Sequence, residues 1–209
     1  MPSAGERVRR ATARAVFLCA ALAPAAAAAE SEILEFRGFR LRPPPGADWV
    51  LVERDARSVF FGKRTGEPAH TFVALAYAET LPEAERPRTL AEHFERVKQV
   101  RRASFVPGRH WFLEEDFATE GAPAAGCLRY RQKFLDTGTR DAPGIPLPLE
   151  VVGFSCVHPD SLAIAIHVHY EERGLSGAGT ASLRDEGEAF LRSFEFAPLE
   201  HAAGKAAGS

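Results

Sequence analysis

Residues 127–135, CLRYRQKFL, and 149–158, LEVVGFSCVH, decide the fold. The first run alternates Leu128, Tyr130, Gln132 and Phe134 with Arg129, Arg131 and Lys133, the period of two expected of a strand. Cys127 and Cys156 are the two cysteines that follow Glu30, and in an oxidising compartment such a pair reads as a disulfide. If the two strands form an antiparallel hairpin with the cysteines opposed, paired residues sum to 283, and the midpoint falls between Asp141 and Ala142. That midpoint lies inside the turn-forming run Thr137 to Gly144. Closing a loop of roughly 30 residues stabilises by about 3 to 4 kcal/mol on the chain-entropy account.

Two neighbours extend this pair. A turn centred on Pro159 and Asp160 pairs Leu149–His158 with a strand at Ser161–Tyr170, and the loop Gly121–Gly126 pairs His110–Thr119 with Cys127–Leu135. One face of the four strands then carries Trp111, Leu113, Phe117, Leu128, Tyr130, Phe134, Val151, Val157, Leu162, Ile164, Ile166 and Val168, which predicts a core face. Glu115 and Gln132 also fall on it, opposite one another. The other face carries two lateral rows, Glu114 with Lys133, Glu150 and His169, and Asp116 with Arg131, Val152 and His167. Opposite charges alternate along the first row, as directly opposed cross-strand pairs should.

The N-terminal half follows the same pattern. Strands are expected at Ile33–Leu41, Trp49–Arg54, Ser58–Gly62 and His70–Glu79, separated by Pro and Gly turns. Thr89-Leu90-Ala91-Glu92 is a capping box, and Leu90, Phe94, Val97 and Val100 recur at helical spacing until Pro107-Gly108. A second helix is predicted at about Ser182–Phe194, with Leu183, Phe190, Leu191 and Phe194 as its apolar stripe. The sum is an α+β fold: an antiparallel β-sheet of about seven to eight strands with two α-helices packed on it, a single domain spanning residues 30–199.

Residues 1–29 read as a signal peptide. Arg7, Arg9, Arg10 and Arg14 precede an apolar run from Ala15 to Ala28, and Ala27-Ala28-Ala29 offers a cleavage site before Glu30. The expected location is therefore periplasmic or secreted. Cys19 is an unsuitable lipidation site, because Val16-Phe17-Leu18 precede it. Residues 200–209 are expected to be a disordered tail. Removing the leader takes away four Arg and one Glu and shifts the net charge from −2 to −5. An acidic chain without a basic run is a poor ligand for nucleic acid, and the mature sequence has no stretch long enough for a stable membrane span. The expected partner is another protein or a small ligand.

Of the chemistry-bearing residues, His167 and His169 stand two apart on a strand, and Glu150 would sit beside His169. Such a trio could ligate a metal or support hydrolysis. The preferred reading is a polar face without metal, since Lys133 competes for the same carboxylate. Arg131, Lys133, Glu150, His167 and His169 together form the candidate binding face. Ser155, Cys156 and His158 do not make a nucleophile elbow, for the final Gly is missing and a cystine supplies no thiolate. No catalytic residue and no cofactor motif can be named.

Phe39, Leu41 and Pro44, followed by Trp49, and the ending Ser193-Phe194-Glu195-Phe196, resemble the corresponding parts of PsbP-like domains. The resemblance implies an antiparallel sheet flanked by helices and a role in binding or assembly. It carries over no catalytic residue. The expectation is a secreted or periplasmic, non-enzymatic binding or assembly module, with a metal-dependent or hydrolytic enzyme using His167, His169 and Glu150 as the rival.

Overall fold

The computed structural model of the chain describes residues 32–66, 69–139, 142–174 and 180–199. The expected signal peptide, Cys19 and the tail lie outside the described residues. The elements are β1 (Leu34–Phe36), β2 (Phe39–Leu41), β3 (Trp49–Arg54), β4 (Ser58–Arg64), β5 (Thr71–Thr80), α1 (Leu90–Ala103), β6 (His110–Ala118), β7 (Cys127–Asp136), β8 (Leu147–His158), β9 (Ser161–Arg173), α2 (Thr180–Arg192) and β10 (Glu195–Phe196). Seven strands form one antiparallel sheet in the order β3-β4-β5-β9-β8-β7-β6, and β1-β2-β10 form a small second sheet. The fold is α+β, with two α-helices among the described residues. No helix among the described residues is long and apolar enough to cross a membrane.

Both faces of the large sheet are covered. On one side α2 and the small sheet bury Phe36, Phe39, Phe72, Phe154, Ile166, Val168, Tyr170, Phe190 and Phe194 in a common core. On the other side Val97 of α1 packs with Leu128, Tyr130, Phe134 and Val151. At the first helix Thr89 Oγ1 accepts from the Glu92 amide at 3.2 Å, while the Glu92 carboxylate accepts from the Arg88 amide rather than from that of Thr89. The cap forms one residue wider than a capping box. Its inward face is His93 and Val97, and Leu90 and Val100 are exposed, so the apolar stripe expected for α1 is rotated.

The β7–β8 register pairs Cys127 with Cys156 and keeps the same offset through Asp136 and Leu147, and a disulfide joins the two cysteines. The flanking registers depart from expectation at bulges. A shift between Val157 and His158 moves every earlier β8 residue three positions along β9, so Glu150 opposes Glu172 and Gly153 opposes His169. A second shift between Phe112 and Glu114 leaves Glu114–Lys133 opposed but displaces the outer end of β6.

An odd displacement turns every side chain to the opposite face. Ile164, Ile166 and Val168 accordingly pack under α2 instead of with Tyr130 and Val151. Trp111, Leu113 and Leu162 are exposed, two of them on the edge strand β6. The expected strand Ile33–Leu41 is instead the hairpin β1–β2, turned at Gly38, whose φ of 86° suits a residue without a Cβ.

Candidate functional site

The five residues of the expected binding face do not share a face. Arg131, Lys133 and Glu150 stand on the side covered by α2, where Arg131 is ion-paired with Glu150, Arg184 of α2 reaches Glu150 at 3.0 Å, and Lys133 meets Glu114 at 2.5 Å. His167 and His169 lie on the α1 side, opposed to Ser155 and Gly153. The trio of His167, His169 and Glu150 therefore does not assemble, and among the described residues no cluster of metal-ligating side chains does. The bulge at Val157 is the cause. It corrects the candidate metal or hydrolytic site as well as the mixed charged face.

What the α1 side holds instead is a buried polar layer. His93 is fully buried and its Nε2 donates to the Ser155 carbonyl at 3.3 Å. His167 stacks on Tyr77 with ring centroids 4.7 Å apart and donates to Glu79 at 3.2 Å, and Arg96 of α1 also reaches Glu79. Glu115 and Gln132, opposed as expected, are each answered by the last turn of α1, Arg102 on Glu115 and Arg101 on Gln132. Arg101 also lies over the Tyr130 ring, 4.3 Å from its centroid.

Burial in this layer pushes His93 down to about 4, because the imidazolium would lose its hydration. His167 is lowered for the same reason, against the pull of Glu79. Between pH 6.5 and 4 the unfolded chain takes up a proton that folded His93 refuses, so stability falls on acidification. The slope contributed by one proton is about 1.4 kcal/mol per pH unit. Urea midpoints followed from pH 7 to 4.5 should show this loss, and His93→Gln should flatten it; an unchanged slope in the variant would remove His93 as its source.

Beyond the C-terminal turn of α1 the described residues leave this end of the same sheet face uncovered, as a cleft of about 580 Å³. Its floor is apolar, with Val73, Leu75, Leu149, Val151 and Phe134 from β5, β8 and β7. Its rim is polar: Arg101 and Ser104 from the end of α1, Arg109 and His110 from the entry to β6, and Asp136, Glu171 and Arg173 from the sheet. Glu171 keeps 38% of its side chain accessible although β9 is the central strand of the sheet. The helix stops short of this end.

Asp136 anchors the rim. It is completely buried, receives Arg109 at 2.8 and 2.9 Å and Arg173 at 2.8 Å, and accepts from the Gly138 amide at 2.8 Å. The Arg109 guanidinium, helped by Arg173, holds its carboxyl well below the usual carboxylate range. Behind the rim His169 Nδ1, His110 Nε2 and Arg173 Nε are buried without a hydrogen bond, His110 Nε2 standing 4.0 Å from Asp136.

Gly153 lets β8 and β9 approach closely. A Cβ there would stand 2.3 Å from the Val168 carbonyl oxygen and 2.4 Å from the His169 Cβ. Gly153→Ala should cost about 1 to 3 kcal/mol in urea unfolding through overpacking, and a neutral effect would show that β8 and β9 can separate at no cost.

Neither Asp136 nor the three arginines around the cleft stand out in the sequence. They come from a strand end, a helix end, a connection and a second strand end, and no local motif links them. The exception is Gln132, which with Glu115 placed polar side chains on the mainly apolar face and so pointed towards this side of the sheet.

No family model matches the chain, and no curated protein matches it. Among solved structures it is similar to a point mutant of the protein Mog1, at 10% identity and a TM-score of 0.44, over 82% of this chain and 98% of that one. It is also similar to the Ran-binding protein Mog1p of Saccharomyces cerevisiae, at 9% identity and a TM-score of 0.43, over 80% of this chain and 95% of that one. A third is the cyanobacterial PsbP of Synechocystis sp. PCC 6803, at 13% identity and a TM-score of 0.37, over 77% of this chain and 88% of that one.

Proposed function

We propose that the chain is an exported, non-enzymatic binding module that takes a ligand in the cleft at the end of α1. The observation that carries this reading is the cleft on the α1-side sheet face, where an apolar floor meets a rim that carries Arg101, Arg109 and Arg173. A concave, mostly apolar surface with a few fixed polar groups is the usual form of a small-molecule site. The basic and apolar leader ending in Ala27-Ala28-Ala29, together with the Cys127–Cys156 disulfide, supports a periplasmic or secreted location.

The neutral fluorescent probe N-phenyl-1-naphthylamine tests the cleft directly. It should bind the purified protein saturably, near one per chain, and Leu75→Trp, which fills the floor, should abolish binding while leaving the thermal transition in place. Absence of saturable binding, or binding indifferent to Leu75→Trp in the folded variant, would remove the cleft as the site.

A further inference from the structure

We infer that the ligand of this cleft is an apolar monocarboxylate, its hydrocarbon body on the β5–β8 floor and its carboxylate turned to the arginines of the rim. The inference rests on the cleft being the binding site and adds the chemistry of what it holds.

Charge is the first argument. The lining carries three guanidinium groups, Arg101, Arg109 and Arg173, and two carboxylates, Asp136 and Glu171, which leaves one positive charge in excess when His110 and His169 are counted neutral. His110 does not add a second, since burial lowers its affinity for a proton. A single negative charge on the ligand neutralises the cleft, whereas a cation would meet the surplus and a phosphate monoester dianion would overshoot it.

The distribution of unspent hydrogen bonds is the second. Asp136 is saturated by Arg109, Arg173 and the Gly138 amide and offers a ligand nothing. Glu171 is engaged by His169 Nε2 at 3.3 Å. The guanidinium groups, by contrast, retain donors. Arg173 gives Nη1 to Asp136 and keeps 22% of its side chain accessible. Arg101 gives its Nε to Gln132, and no carboxylate pairs with it among the described residues. It is held in place by that bond and by the Tyr130 ring beneath it, so it loses little freedom on receiving an anion. Planar donors of this kind match a carboxylate.

The floor supplies the third. Val73, Leu75, Leu149, Val151 and Phe134 present no side-chain polar atom, so the part of the ligand lying on them must be apolar.

Three isosteric probes separate the terms: 2-naphthoate, 2-naphthylmethanol and 2-naphthylmethylamine, each competing with N-phenyl-1-naphthylamine at pH 7. Wild-type protein should bind naphthoate at least tenfold more tightly than the alcohol and the amine least tightly. Arg101→Met should erase the preference for naphthoate while changing the affinity for the alcohol by less than threefold. Because the wild-type ranking needs no variant, a poorly folded Arg101→Met protein does not spoil the test. Equal affinities for naphthoate and the alcohol would overturn the carboxylate assignment and leave the cleft as a binding site. Tighter binding of 2-naphthyl phosphate than of naphthoate would overturn it in favour of a phosphate ligand. Failure of all three probes and of N-phenyl-1-naphthylamine would overturn the cleft reading itself.

Discussion

Replacing Asp136 by Ala should lower the stability of the folded protein by about 3 kcal/mol at pH 7 in urea unfolding, the lower end of what breaking a buried ion pair costs. The lower end is appropriate because Arg109 remains 44% and Arg173 22% accessible, and water can partly replace the missing carboxylate. The arginines are nevertheless left facing each other beside an unpaired Gly138 amide. Asp136→Asn separates charge from shape, since the amide oxygen can still accept one bond.

The pH dependence gives the sign. Arg109 and Arg173 hold folded Asp136 below its ordinary value of 3.8, so the unfolded chain binds a proton first as pH falls. The stabilisation is whole above about pH 4 and is lost as the pH drops towards the folded value. Urea unfolding of wild type and Asp136→Asn should therefore differ most at neutral pH and draw together progressively as the pH falls below about 4. A gap that persists undiminished in acid would mean that packing, and not the charge on Asp136, holds this corner together.

Asp136 also illustrates what the sequence could not disclose. It is the last residue of β7, and its partners arrive from the α1–β6 connection and from the end of β9. Their meeting depends on the strand order and on two bulges. The two cysteines made the β7–β8 register legible, because one covalent pair and one turn constrain a single offset. Nothing comparable marks the bulge at Val157, and the three-position shift there carried His167 and His169 to the face opposite Glu150.

A signal for two covered faces was nevertheless present. Cys127, Cys156, Phe154 and Val152 share the face of Arg131 and Glu150 by simple alternation, so that face was apolar at one end and needed a covering element. The alternation within β9 is likewise correct, with Ile164, Ile166, Val168 and Tyr170 on one side and His167, His169 and Glu171 on the other. Periodicity determines which residues go together. It does not determine which face of the neighbouring strand they join.

The second large effect is expected at the disulfide. Cys127→Ala combined with Cys156→Ala should cost about 2 to 4 kcal/mol, the usual range for a native cystine closing a loop of this length. Both residues are fully buried and directly opposed in the β7–β8 ladder, so the strands remain paired without the bond. The native state should lose little, and most of the effect should come from the freedom returned to the 29-residue separation in the unfolded chain. That account makes a kinetic demand. A link that restricts only the unfolded chain, and whose strands are already together at the transition state, changes the folding rate and leaves unfolding nearly untouched. In stopped-flow experiments the double variant should refold roughly a hundredfold more slowly while its unfolding arm stays within about threefold of wild type. If the loss appears on the unfolding arm instead, the cystine acts by packing in the core beneath α2 and the small sheet, and the entropic explanation fails for this pair.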